Sequence, residues 1–473
     1  MEEFSNRTYS RKELTAFAEE GILDGRMYKK RLSLFGLFLS AVFIYTACME
    51  NAVPSPKEPG ADVSGVLLYA TNDVHYLAEN LHDRGSRFQR LITEQGGKNI
   101  DAQEGILEGF RFSVKRESPD IILFNGDLTY NGERESHLAF ARYLAELERC
   151  GARVYVIPGN HDVNNPLARS FFKERTQHVE SASPREFERI YRNFGYAEAI
   201  SRDRMTLSYA AEPLRGLRLL MLDSNKYRSN WILRRSEVSG AIPQSTRNWI
   251  RRVALQAKKD GSLLAVAMHH SLMNHHPWIR EGFTVDDAPT LQEVFSELGI
   301  AFVLTGHIHV QEISQRRTAS GRTVYDIATS ALSVYPHQYG VLHLIPGEGR
   351  WRYTVQAAEV EAWARSAGIQ DERFLRFDRY AEDFFKQDSI NMLKRRPEFA
   401  FLDSGERRAL EELVGVLNTR YYAGTADKNS QDIFQSEGFA LLETYRFDFL
   451  YDYVQTIIKG IPPGDTELSI PLR

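Results

Sequence analysis

The stretch that most constrains this chain is the apolar run Val154 to Ile157 followed by Gly159-Asn160-His161-Asp162. A short β-branched and aromatic run of this kind reads as a buried parallel strand, and open α/β sheets bind their ligands just past the carboxyl ends of such strands. An Asn-His-Asp triplet placed there can offer an amide oxygen to a metal, an imidazole to a substrate and a carboxylate to orient that imidazole. Four other fragments have the same layout. Val66 to Ala70 leads to Asp73-Val74-His75, and Ile121 to Phe124 leads to Gly126-Asp127. Leu263 to Met268 leads to His269-His270, and Ile300 to Leu304 leads to Gly306-His307-Ile308-His309. Helical patterns over 133–150 and 244–259 lie between the strands and could cover a sheet. The expectation is an α/β fold that gathers these side chains into one crevice.

Asp73, His75, Asp127, Asn160, His269, His307 and His309 are all oxygen or nitrogen donors. Such a set suits Mn, Fe or Zn better than a thiophilic metal. Seven ligands exceed what one catalytic ion with an open position can use, so two ions are expected, with one carboxylate bridging them. Side chains alternate along an extended segment, so only one of His269 and His270 can enter the site; His269 is taken as that residue.

The five blocks, in this order, resemble the calcineurin-like metallophosphoesterase superfamily, over roughly residues 66 to 345. The resemblance implies a metallophosphoesterase-type β-sandwich flanked by helices. It implies that Asp73, His75 and His309 hold one ion, that Asn160, His269 and His307 hold the other, and that Asp127 bridges. It makes His161 a catalytic residue that faces the substrate and stabilises or protonates the departing oxygen, with Asp162 holding its ring. The reaction implied is hydrolysis of a phosphate ester by a metal-bridging hydroxide. A phosphodiesterase is favoured, with a phosphomonoesterase or nucleotidase using the same site as the alternative. The different-class alternative is a lipid-anchored binding protein on the same fold, for which a broken ligand set would be the sign; the set is complete.

The remaining polar residues have simpler readings. His275 and His276 are read as solvated or rim residues. His82, His137, His178 and His343 are read as surface or hydrogen-bonded, and His337 as a residue that could reach the rim. Tyr130-Asn131 and Asn164-Asn165 would contact substrate or shape turns.

The ends of the chain differ from its middle. Leu32 to Ala47 is sixteen residues without a charge, preceded by Lys29-Lys30-Arg31 and followed by Cys48. It is short for a membrane-spanning helix but fits the apolar region of an export signal. Ile44-Tyr45-Thr46-Ala47-Cys48 resembles a bacterial lipoprotein cleavage box, which implies lipidation of Cys48, removal of residues 1–47 and a place outside the cytoplasm in a cell envelope. A plain N-terminal membrane anchor is the alternative, and Met27 is the expected start of translation. Residues 48–65, rich in proline, read as a tether. The catalytic domain is expected over 66–349 and a helical region over 350–473, built on patterns at 357–367, 373–395, 405–420 and 431–459. The only other cysteine, Cys150, reads as a packed thiol. A balance of 59 basic against 63 acidic residues, without a basic block, argues against a nucleic-acid partner.

Overall fold

The computed structural model describes residues 65–94, 96–276, 280–396, 399, 401–426, 430–445, 448–459 and 465–472. The expected signal, Cys48 and nearly all of the tether lie outside the described residues. Among those described, no helix is long and apolar enough to cross a membrane.

Fifteen strands follow one another: β1 (Leu67–Thr71), β2 (Ile121–Asn125), β3 (Arg153–Ile157), β4 (Arg169–Phe172), β5 (Arg175–His178), β6 (Ser201–Arg202), β7 (Tyr209–Leu214), β8 (Leu217–Leu222), β9 (Leu263–Met268), β10 (Phe302–Thr305), β11 (Glu312–Arg317), β12 (Thr323–Ala328), β13 (Gln338–Ile345), β14 (Arg350–Ala357) and β15 (Glu467–Pro471). One sheet runs β15-β14-β13-β1-β2-β3, a second runs β11-β12-β10-β9-β8-β7-β6, and β4 and β5 form a separate two-stranded sheet. The strands that carry the polar fragments are parallel within each sheet: β1 with β2 and β3, and β8 with β9 and β10. Their carboxyl ends therefore share an edge, which is what brings distant fragments together.

β8 shows why the two sheets stack. Every one of its residues is buried. Leu217, Leu219 and Met221 join Tyr155, Val341, Leu344 and Trp351 of the opposite sheet in one core. Leu220 and Leu222 point the other way, onto Trp249 and Ile250 of the helix Gln244–Asp260 and Leu291 and Phe295 of the helix Ala288–Glu297. A period of two that is apolar on both faces is the mark of a strand covered on both sides. The helix Gln244–Asp260 stops at Gly261, whose φ of +70° closes the last turn.

The region expected to be helical from residue 350 begins and ends in strand. β14 pairs along β13 over its whole length, and β15 returns from the far end of the chain to pair with β14. The helices Phe377–Lys394, Ser404–Tyr422, Glu437–Tyr445 and Asp448–Lys459 lie between these strands in sequence. Their core, with Leu413, Leu417, Leu442 and Val454, also includes Val310 and packs against Ile308. The helical region is thereby joined to the loop that carries His307 and His309.

Candidate metal centre

The loop backbones are strained where the expected ligands sit. Asp73, His75, Asp127, His307 and His309 all have φ between 46° and 70°. Aspartate and histidine tolerate this region better than most side chains, and such outliers cluster at functional sites. Gly126, at φ +97°, and Gly159 let two of these loops touch: a Cβ on Gly159 would lie 2.1 Å from the Asp127 amide nitrogen.

Asp73 is fully buried and receives the His307 amide on Oδ2 at 2.8 Å. Its Oδ1 has no hydrogen-bond partner, yet it lies 3.4 Å from His309 Nε2 and 3.9 Å from His75 Nε2. Those two ring nitrogens are themselves 3.1 Å apart. An orphaned carboxylate oxygen facing two converging imidazole nitrogens is the donor set a divalent ion would satisfy.

Asp127 faces both halves of the site. Oδ2 is 3.6 Å from His75 Nε2 and 3.9 Å from His161 Nε2, whereas Oδ1 is 3.5 Å from His269 Nε2 and accepts the His161 amide at 2.8 Å. Asn160 Oδ1 lies 3.1 Å from the same His269 nitrogen. The second ring nitrogen of each of two histidines is occupied by a carbonyl, to which it can only donate: Nδ1 of His269 by Asn125 O at 2.9 Å, and Nε2 of His307 by Gly282 O at 3.1 Å. That sets the proton-bearing nitrogen of each ring and turns His269 Nε2 and His307 Nδ1 toward the place a metal would take. Among the described residues, three groups have ligand atoms within 4.8 Å of one another: Asp73, His75 and His309; Asp127, His269 and His307; and His75, Asp127 and His161. The residues present fit a divalent metal.

Electrostatics agree with the geometry. Burial works to raise the Asp127 carboxyl, but the charges of His269 and His161 outweigh it and hold it well below the ordinary carboxylate range. Burial would lower His269, but Asp127, then Asp73, push it up to about 9, so a metal bound at Nε2 would displace a proton there. Burial pushes His307 down to about 3 and His75 well below its usual value, so both rings are neutral and ready to ligate.

His270 turns away. Its Nδ1 meets Ser224 Oγ at 2.8 Å and its Nε2 meets Val238 O at 2.9 Å, so both nitrogens are used.

The expectation that Asp162 holds the His161 ring is corrected. His161 Nδ1 lies 2.8 Å from Tyr130 O and 3.0 Å from Asn131 Oδ1. Asp162 points into the backbone instead, accepting from the amides of Leu128, Thr129 and Gly159 at 3.0, 2.9 and 2.8 Å and from Thr129 Oγ1 at 2.8 Å. A carboxylate three residues from the preceding glycine folds back on its own turn more readily than it reaches the neighbouring ring. Asp162 thus clamps the loops that carry Asp127 and Asn160. Asn165 Nδ2 donates to His161 O at 2.9 Å, so Asn165 helps position His161, whereas Asn164 Nδ2 reaches Tyr227 O.

Three other readings are revised. His275 is buried with Nε2 3.0 Å from Asp326 Oδ2, and His276 is buried near the rings of Tyr421 and Tyr453. His337 is buried against Phe377, its Nδ1 2.9 Å from Leu332 O, and does not reach the rim.

Lys98 escaped the sequence reading. Its backbone bridges to Val334, and the next amide, of Asn99, donates to Ser333 O at 2.8 Å; Ser333 in turn donates to Asp73 O. Its half-buried ammonium has its pKa lowered by burial and is opposed by the charges of Asp127, Asp73 and Asp388, while its own charge acts on His75 and His161. Among the described residues it has no ion-pair partner within 4.0 Å. Gly96-Gly97-Lys98-Asn99 carries a loop signal and nothing that points to a site.

Residues 67–311 match the family described as calcineurin-like phosphoesterase, and residues 359–460 match the C-terminal domain of cyclic nucleotide phosphodiesterase. No curated protein matched the chain. Among solved structures, a dimetal phosphatase from Danio rerio is similar at 14% identity, over 62% of this chain and 96% of that one, with a TM-score of 0.42. A purple acid phosphatase from yellow lupin (Lupinus luteus) seeds is similar at 12% identity, over 62% and 52% of the two chains, with a TM-score of 0.40.

Proposed function

The chain belongs to the calcineurin-like phosphoesterase family and is a phosphoric ester hydrolase that uses divalent metal; from that premise we propose that it cleaves phosphodiesters with two ions. The observation that carries two ions is Asp127, whose separate oxygens face His75 and His269. Asp73, His75 and His309 would hold one ion, and Asn160, His269 and His307 the other. Bound there, the ions would neutralise phosphoryl charge and supply a nucleophile from water. The match of residues 359–460 to a cyclic nucleotide phosphodiesterase domain favours a diester over a monoester.

The chain's own residues supply the rest. Tyr130 O and Asn131 hold Nδ1 of His161, which leaves Nε2 toward the reacting group. Protonated, that nitrogen can donate to the leaving oxygen. Burial lowers the His161 pKa, and an arriving phosphate anion opposes that shift. Lys98 adds a fixed cation for the phosphoryl oxygens.

Mn-loaded protein assayed on aryl diester, aryl monoester and cyclic-nucleotide substrates tests this reading. Preference for either diester supports it, and faster turnover of the monoester would replace it with a phosphomonoesterase. Asp127→Asn abolishes hydrolysis and lowers metal content in this account; two tightly held ions in that variant would falsify the bridging role. We also propose export and acylation at Cys48, which holds the enzyme outside the cytoplasm. Labelled fatty acid incorporated by the wild type and absent from Cys48→Ser supports it, and an unlabelled wild type with an N-terminus upstream of Cys48 overturns it.

A further inference from the structure

A single helical turn, Asn230–Leu233, lies in a segment bonded to the loop that carries Asn160. Its segment is fixed to the loop of the central triplet: Ser236 Oγ donates to Asn160 O, and Asn230 Nδ2 donates to Val163 O at 3.3 Å. The anchored side of the turn is buried, and the other side is not. Trp231, Ile232 and Leu233 are 55%, 84% and 43% exposed. Scattered exposed apolar residues are ordinary, but three in succession on a turn of only four residues leave a protruding apolar tip with nothing to gain in water.

The tip is flanked by Arg228, Arg234 and Arg235, all exposed. Arg228 donates to Met205 O at 2.8 Å. None of the three has an acidic partner within 4.0 Å among the described residues, whereas Arg218, Lys226 and Arg247 are each paired. In a chain of net charge −4 this is a local excess of unpaired guanidinium groups around tryptophan and aliphatic side chains.

We infer that the turn 230–233 inserts into the interface of an anionic lipid bilayer, with Arg228, Arg234 and Arg235 on the headgroups, and so seats the metal centre at the membrane surface. Guanidinium groups meet anionic headgroups, Trp sits at the interface and the aliphatics enter the acyl boundary. A soluble polyanion would use the arginines and gain nothing from Ile232. The surface is independent of the diester reading and of attachment at Cys48, because the chain between Cys48 and Gly65 can span roughly 55 Å without bringing residue 232 to the lipid.

The test uses the full chain with Cys48→Ser, Cys150→Ser and Ile232→Cys, labelled at the single thiol with an environment-sensitive fluorophore. The matching control carries Met392→Cys, an exposed position on the helix Phe377–Lys394. With phosphatidylglycerol-containing vesicles, the 232 label shifts to the blue and is quenched by acyl-chain nitroxides several-fold more than the 392 label. The difference disappears in pure phosphatidylcholine or after Arg234→Gln with Arg235→Gln. Equal quenching at the two positions overturns the proposal. So does a shift at 232 that heparin reproduces without lipid, which would assign the turn to polyanions. Trp231→Ser with Ile232→Ser leaves hydrolysis of a soluble aryl substrate unchanged, so failure of the membrane contact and failure of the catalytic reading are separate results.

Discussion

Asp162 shows how one residue's role depends on where its oxygens point. With three amides and a hydroxyl as donors, its carboxylate organises the backbone under two proposed ligands rather than a ring. An amide at this position keeps one accepting oxygen, so Asp162→Asn leaves buried donors unmet at about 1–3 kcal/mol each. The expected result is a melting point lowered by several degrees together with weaker metal retention, measured by calorimetry and elemental analysis. An unchanged melting point with only a displaced pH–rate profile would return Asp162 to His161. Glu312 makes a second case. It is buried near His275, Asp465 and Asp326, with Oε2 unpartnered, and burial pushes its carboxyl up from 4.5 to about 7. The folded state therefore prefers the protonated acid. Its contribution to stability is complete below pH 4.5 and is lost as pH rises through about 7. Glu312→Gln should stabilise the protein by about 2–3 kcal/mol at pH 8 and hardly at all at pH 4.5. Denaturant melts at the two pH values check this, and an equal difference at both would remove the buried acid as the cause.

At the scale of elements, the site depends on loops that approach more closely than side chains allow. A Cβ at Gly159 would meet the Asp127 amide nitrogen and Oδ1, both at 2.1 Å, and neither can retreat without moving a proposed ligand. Gly159→Ala is expected to yield protein with the same β content by circular dichroism but with less than one ion bound per chain. Full metal content in Gly159→Ala would show that the loop can shift without cost to the site. The strand ends were readable because each is a short apolar run followed by polar residues with no apolar period of their own. Asp162 and Lys98 were not readable for opposite reasons. Asp162 has two geometrically open choices, the ring or its own turn, and only the backbone conformation selects one. Lys98 lies in a glycine-rich loop whose position is set by pairing with Val334, more than two hundred residues away.

For the whole molecule, the helical region is part of the fold that carries the site. Its core takes in Val310, beside His309, and Phe385 packs with Ala331 and Val334, next to the segment that holds Asp73. Gly424 lies against Gln311, which also reaches Asp465 O and Tyr353 Oη. A chain ending at residue 358 would lose β15 and expose these faces. It should be insoluble or bind metal at least tenfold more weakly than the full chain, about 1.4 kcal/mol or more. A soluble, fully loaded 1–358 chain would make the helical region a separate module.

By itself, the order of strand-ending polar fragments determined the α/β class, the parallel strands and the residues that meet at their ends. Those follow from local rules: an apolar run must be buried, and a short apolar strand ends where polar loop begins. Tertiary structure alone decided what holds the His161 ring, that β15 completes the first sheet, and that the charge of Lys98 acts on the site. Each of these is a choice between arrangements equally allowed along the chain, and it is made by contacts whose partners lie far apart in sequence.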